Sequence, residues 1–207
     1  MNILLLGPQG SGKGTQAARI ADEYGLAHVA SGEMLRQAIA AGTELGRRVK
    51  PILDEGLLVP DELMVGLLRE RFGEPDAEPG FVLDGFPRTL PQAEALDAML
   101  AEIGRGLDAI LFFDLPDEIA RELSVVFELQ IDDEAAAARL LRRAELEGRP
   151  DDTPEAIRTR LALYHSETEP LVEHYRTTGN VVGIDADRPV DAVFAQIQDV
   201  LEQVAVR

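Results

Sequence analysis

The feature that most constrains the fold is a glycine-rich segment, GPQGSGKGT, at residues 7–15. It follows an apolar run at residues 3–6 and opens an amphipathic stretch, so it predicts a tight connection from a β-strand to a helix. Backbone N–H groups at such a connection can surround a phosphate. The segment matches the phosphate-loop pattern GxxxxGK[ST], except that Gly14 takes the hydroxyl position and a threonine follows it. We therefore predict a variant phosphate loop in which Lys13 reaches the β- and γ-phosphates.

The rest of the chain alternates short apolar runs with amphipathic stretches, which predicts an α/β fold with a parallel sheet. Strands are predicted at residues 2–6, 80–83, 107–113 and 181–184. Helices are predicted at residues 15–24, 34–41, 43–55, 60–72, 91–103, 154–176 and 189–204, and a turn-rich loop at residues 73–80. A length of 207 residues favours a single domain over 1–207.

The composition excludes several classes of protein. There are 38 acidic and 20 basic side chains, and the formal net charge of −18 excludes a broadly basic nucleic-acid binder and a polybasic membrane-surface protein. The absence of cysteine excludes disulfides and thiolate-held zinc. No apolar run approaches 18 residues, so we expect a soluble, cytoplasmic chain without a membrane partner. The three histidines have no metal-ligand spacing and are predicted to be structural or exposed.

A second conspicuous motif is DGFPRT at residues 84–89, directly after a predicted strand. An apolar strand that ends in an acid is typical of a carboxylate placed near Mg²⁺ or its waters. On its own, Asp84 could equally be a helix-capping acid. Arg88 supplies a planar fork for a phosphate, and Gln92, four residues later, supplies an amide that could read a base.

Residues 109–139 contain a near-repeat. Residues 109–121 and 125–139 each contain an apolar run, an acidic turn and the start of a helical pattern, at a spacing of about sixteen residues. The residues alone leave open whether the segment adds a strand or displaces one copy from the sheet.

Taken together, these motifs resemble the adenylate kinases of the nucleoside monophosphate kinase family. The resemblance rests on GPQGSGKGTQ at 7–16, ASGEMLR at 30–36 and DGFPRT at 84–89. It continues through GTELG at 42–46, DEGLLVPDE at 54–62 and RPDDTPEAIRTR at 149–160. The displaced threonine of the phosphate loop is how this family writes that motif.

The resemblance implies a P-loop nucleotide kinase with a central parallel sheet flanked by helices. It implies a helical nucleoside-monophosphate-binding insertion at 30–59 and a short lid at 143–149, without a zinc site. The implied activity is reversible phosphoryl transfer from ATP to AMP, giving two ADP and maintaining adenine nucleotide balance. Mg²⁺ would come with ATP and would meet Asp84 only through water. A monomer is implied, with ATP, AMP and ADP as its ligands.

The resemblance also assigns roles to individual positions. The ATP-binding set is Gly10, Ser11, Gly12, Lys13, Gly14, Thr15, Arg143 and Arg188. The AMP-binding set is Ser31, Arg36, Leu57, Leu58, Val59, Gly85, Phe86, Pro87, Arg88, Gln92, Arg149 and Arg160. The set around the transferred phosphoryl group is Lys13, Asp84, Arg88, Arg139, Arg143, Arg149 and Arg160.

Two other functions remain open from the sequence. A pyrimidine monophosphate kinase is the neighbour within the family, although Ser31 and Thr89 resemble the adenylate branch. A nucleotide-binding regulatory protein with impaired turnover is the alternative from another class. It is favoured only by the near-repeat. Of the two copies, the second fits the family better, because Arg139 follows Asp133 by six residues.

Overall fold

The computed structural model describes residues 1–7, 11–114, 149, 151–168, 170–171, 174–175, 181–186 and 188–205. Five strands form one parallel sheet in the order β2-β3-β1-β4-β5. They are β1 (Asn2–Leu6), β2 (Ala27–Ala30), β3 (Phe81–Asp84), β4 (Ala109–Asp114) and β5 (Val181–Asp185). The predicted α/β class with a parallel sheet is confirmed.

Seven α-helices have both ends within these ranges. They are α1 (Lys13–Tyr24), α2 (Ser31–Ala40), α3 (Glu44–Asp54), α4 (Asp61–Phe72), α5 (Leu90–Glu102), α6 (Pro154–Leu163) and α7 (Val190–Ala205). No helix in the described ranges combines the length and apolar character that a membrane crossing requires.

The central strand β1 is buried from both sides over residues 3–6, which is why these residues read as a continuous apolar run. Leu4 faces a core that includes Leu68 of α4 and Leu96 of α5. Leu5 faces a second core that includes Ile20 of α1 and Ile197 of α7. Helices therefore cover both faces of the sheet, and burial of their apolar sides stabilises the fold by roughly 25 cal/mol per Å² of apolar surface.

The start of α1 depends on a glycine. Gly12 caps the helix with φ +85°, a left-handed conformation that costs glycine little. The N–H of Gln16 then donates to the carbonyl of Gly12 over 3.1 Å. This sharp entry brings the first turn of α1 to the end of β1, where the phosphate loop was predicted.

The structure differs from the sequence-based expectation at three places. Strand β2 was not predicted, and α2 begins at Ser31 rather than at residue 34. The helix expected over 154–176 is α-helical from Pro154 to Leu163, π-helical at Tyr164–Thr168 and α-helical again at the described residues 170–171 and 174–175. The near-repeat lies outside the described residues except for residues 109–114, which form β4.

Candidate active site

A cavity of about 840 Å³ opens at the carboxyl ends of the central strands. This is the edge at which parallel α/β sheets usually bind ligands. Its wall includes the first turn of α1, the end of β3, the start of α2 and part of α6. The cations that line it are Lys13, Arg36, Arg71, Arg88, Arg149 and Arg160. A strongly acidic chain thus concentrates positive charge in one concave site, which suits a polyanionic ligand.

Lys13 lies at the N-terminus of α1, where unpaired backbone N–H groups and the helix dipole favour an anion. Its Nζ donates to the carbonyl of Gly7 over 2.6 Å and to Oγ of Ser11 over 3.3 Å. Gly12, Gly14 and Thr15 line the cavity beside it. Ser11 is buried, and Gly10 lies outside the described residues. These two acceptors are uncharged oxygens of the loop.

Asp84 ends β3 next to the phosphate loop. A methyl group added at Gly14 would lie 3.4 Å from Oδ2 of Asp84. The usual hydroxyl position of the loop therefore faces this carboxylate directly. Within the described ranges, no group of three or more His, Cys, Asp or Glu side chains could hold a metal ion.

Gly85 lets the chain turn closely past α2 after β3. It has φ +83°, and a methyl group added there would lie 2.7 Å from Oγ of the buried Ser31. The turn brings Nε of Arg88 to the carbonyl of Gly85, to which it donates over 2.8 Å. Arg88 is half-buried, and burial lowers the pKa of its guanidinium. The positive charges of Arg160 and Arg36 lower this pKa further, and Asp84 raises it.

Arg160 is buried on α6 and is held by two carboxylates. Its Nη1 donates to Oδ1 of Asp152 over 2.6 Å, and its Nη2 donates to Oδ2 of Asp151 over 2.9 Å. Nη2 also donates to the carbonyl of Leu53 at 3.0 Å, which connects α6 to the end of α3. Arg36 approaches the same Asp151 at 3.8 Å. The two arginines therefore share one carboxylate.

Gln92 is buried in the first turn of α5, and both ends of its amide are paired. Its Oε1 accepts from the backbone N–H of Arg88 at 2.8 Å. Its Nε2 donates to Oδ1 of Asp61 at 2.7 Å. Gln92 thus joins Asp61 to the backbone of Arg88, a residue that lines the cavity, although Gln92 itself is not among the lining residues.

The remaining predicted positions are spread more widely. Leu58, Pro87 and Arg149 line the cavity. Val59 and Phe86 are buried in the core, and Leu57 is exposed. Arg188 is exposed and pairs with Asp185 over 2.7 Å. It is not among the residues that line the cavity. Arg139 and Arg143 lie outside the described residues.

The residues in or beside the cavity that were missed from the sequence include Arg71, His28 and Asp61. His28 of β2 lines it, and its Nε2 is buried without a hydrogen-bond partner among the described residues. Burial lowers the pKa of His28, Asp84 raises it and Arg71 lowers it. Asp61 was read only as part of a family motif. A parallel sheet needs a strand after its first helix, and that rule could have located β2 and His28.

Comparisons with known proteins point in one direction. The sequence model of the family described as Adenylate kinase matches residues 5–180. A protein named adenylate kinase from Archaeoglobus fulgidus is 40% identical over 215 residues, which cover 99% of each chain. One from Caulobacter vibrioides is 45% identical over 205 residues and 99% of each chain. One from Kosmotoga olearia is 42% identical over 222 residues, covering 99% of this chain and 100% of the relative.

Proposed function

The chain belongs to the adenylate kinase family, and on that premise we propose that it transfers a phosphoryl group reversibly from Mg·ATP to AMP, giving two ADP. The main support for this function is that Lys13, Arg36, Arg88 and Arg160 all line the same cavity. The regulatory and pyrimidine alternatives are not favoured, because the relatives that match along the whole chain are named adenylate kinases.

Positioning and charge neutralisation carry most of a phosphoryl transfer. The attacking oxygen of an AMP phosphate is already ionised at neutral pH, so the reaction requires no general base. Lys13 and the N-terminus of α1 would bind the ATP phosphates. Arg36 and Arg88 would bind the AMP phosphate, and Arg149 and Arg160 would face the group in transit. Planar guanidinium groups suit this role because each meets two oxygens and stays charged.

Magnesium would enter with ATP and would neutralise part of the charge of its phosphates. The residues of the cavity fit such an ion. Asp84 presents its carboxylate beside Gly14 and within the same wall as Lys13. We expect Asp84 to hold the ion through water molecules.

Water must be excluded during transfer, since ATP would otherwise be hydrolysed. We expect closure to involve the insertion at 30–59 and the lid at 143–149. Within the insertion, α2 carries Arg36, and α3 ends beside Arg160 through the carbonyl of Leu53. Arg160 is therefore hydrogen-bonded to the segment proposed to move. We further propose that the protein acts as a cytoplasmic monomer.

The function is tested by measuring ADP formation from ATP, AMP and Mg²⁺. We expect ADP formation to depend on AMP, and we expect Lys13→Ala to lower kcat by about 10²- to 10³-fold, as for loss of a preorganised charge-stabilising donor. Lys50→Ala is a matched control because Lys50 is the only other lysine. It is exposed on α3 and pairs with Asp54 over 2.5 Å.

Binding of ATP without AMP-dependent ADP formation would contradict the proposed reaction. Wild-type turnover in Lys13→Ala would instead contradict only the role of Lys13. Circular dichroism of both lysine variants checks that each is folded.

A further inference from the structure

Asp61 lies at the first position of α4, and Gln92 lies in the first turn of α5. The two helices pack against each other and share one apolar core, to which Leu68 and Leu96 contribute. Their N-terminal ends are therefore adjacent, although the two polar residues are 31 positions apart. Asp61 is partly buried, and Gln92 is only 2% exposed. Their 2.7 Å hydrogen bond is shielded from competing water.

The surroundings allow the Gln92 amide only one orientation. The backbone N–H of Arg88 is a donor, so it must meet Oε1. The carboxylate of Asp61 only accepts when ionised, so it must meet Nε2. A flipped amide would place NH₂ against N–H and a carbonyl oxygen against a carboxylate. Both contacts of the flipped form are repulsive, and both would be partly buried.

We propose that Asp61 is a positioning residue that makes Gln92 read the donor–acceptor pattern of adenine and reject 6-oxo purines. The proposal rests on the proposed function, in which Gln92 meets the AMP base. In the fixed orientation, Oε1 keeps a lone pair for the adenine 6-amino group. Nε2 keeps one hydrogen for N1 of adenine. Hypoxanthine and guanine present the reverse pattern, an acceptor at position 6 and a donor at N1. They would place an acceptor against Oε1 of Gln92 and a donor against its Nε2.

Asp61 determines how strongly a wrong base is rejected. To accept inosine monophosphate (IMP), Gln92 must flip, and in the wild type the flip loses two hydrogen bonds. Asp61→Asn keeps an acceptor for Nε2 but also offers a donor to a flipped amide. Asp61→Ala offers neither group and leaves the amide held only by Arg88. The two variants should therefore relax specificity in different ways.

The experiment measures kcat and KM for AMP and for IMP at saturating Mg·ATP. In Asp61→Asn we expect AMP efficiency near that of the wild type and improved use of IMP. In Asp61→Ala we expect a higher KM for AMP with kcat largely retained. In both variants the ratio of kcat/KM for AMP over IMP should fall by about tenfold, the equivalent of one buried hydrogen bond.

Glu62→Ala is the matched control, because Glu62 is an exposed acid in the same first turn of α4. It reproduces the loss of a charge at the helix N-terminus without touching Gln92. An unchanged AMP/IMP ratio in both Asp61 variants would overturn the proposal, as would the same fall in Glu62→Ala. If the wild type forms no ADP from AMP, the proposed function itself fails. Asp61 is then judged by calorimetric binding of AMP and IMP to the same variants.

Discussion

Arg88 and Arg160 line the same cavity but are held in opposite ways. Arg160 is buried between two carboxylates, those of Asp151 and Asp152. Arg88 donates to a backbone carbonyl and forms no ion pair with any residue in the described part of the chain. Its pKa is lowered by burial and by neighbouring cations, with Asp84 as the opposing charge. Among the described residues, Arg160 is paired with two carboxylates, whereas Arg88 has a backbone carbonyl and the more distant charge of Asp84.

The difference separates two roles for an arginine in the cavity wall. Arg160 with its carboxylates is a compensated cluster, and breaking such a cluster leaves a charge unpaired. Arg88 lies in an excess of positive charge, which costs free energy until an anion arrives. A bound phosphate would relieve this excess. We therefore expect Arg88 to matter for turnover and Arg160's partners to matter for stability.

The strongest test of this comparison is Arg88→Ala. We expect kcat for ADP formation to fall by about 10³-fold, by analogy with other arginines that meet a transferring phosphoryl group. Stability should be unchanged or slightly higher, since the variant removes a poorly compensated charge. The hydrogen bonds that Gln92 and Thr168 make to residue 88 use its backbone and are retained. A coupled kinase assay and urea denaturation measure the two effects.

Arg69→Ala is the control for Arg88→Ala, since Arg69 is an exposed arginine that pairs with Glu102 away from the cavity. It should leave kcat unchanged. The contrast between Arg88 and Arg160 would be contradicted if the Arg88→Ala variant were less stable to urea than the wild type. It would also be contradicted if Arg88→Ala retained full turnover.

The second test is Asp152→Asn, which removes one of the two charges that compensate Arg160. We expect the free energy of unfolding to fall by about 2 kcal/mol, because a buried, charge-assisted hydrogen bond is weakened while Asp151 remains. The measurement is the urea midpoint at an unchanged m-value. Asp191→Asn, in an exposed pair with Arg19 at 2.9 Å, should cost under about 1 kcal/mol. Equal losses in the two variants would contradict the distinction.

The fold class and the sharp turn from β1 into α1 could be predicted from the sequence because local patterns determine both. Alternation of apolar runs and helices implies a parallel sheet, and the glycines before Lys13 imply a sharp strand-to-helix turn. Strand β2 was missed because its four residues, two of them alanine, carry little periodic signal. It is a strand because β3 offers it a hydrogen-bonding edge, as in the pairing of Val29 with Leu83.

The pairing of charges inside the cavity was not readable from the sequence. Asp151 and Asp152 could be seen to lie between Arg149 and Arg160 along the chain. That both carboxylates turn back onto Arg160 depends on how residues 151–153 enter α6. The contact of Asp61 with Gln92 depends likewise on two helices packing side by side. Such contacts between distant positions leave no periodic trace in a single sequence.

The smallest expected effect concerns His28, on the Asp84 side of the cavity. Its pKa in the folded protein is lowered from the ordinary value of 6.5, chiefly by burial. As pH falls below 6.5, His28 becomes protonated in the unfolded chain while it is still neutral in the folded protein. The stability contributed by neutral His28 is therefore present above that pH and is lost as pH falls towards the folded pKa.

His28→Gln removes this titration and keeps a neutral polar side chain. The free energy of unfolding of the wild type minus that of the variant should shrink as pH is lowered from 7.5 to 5.5. The change stays below the one-proton maximum of about 1.4 kcal/mol per pH unit. Subtraction cancels the titration of the many acidic side chains that both proteins share. A difference that grows on acidification would mean that protonated His28 is stabilised by Asp84 more than it is penalised by burial. The charges around Asp84 and Arg88 would then be balanced within the protein, as those around Arg160 are.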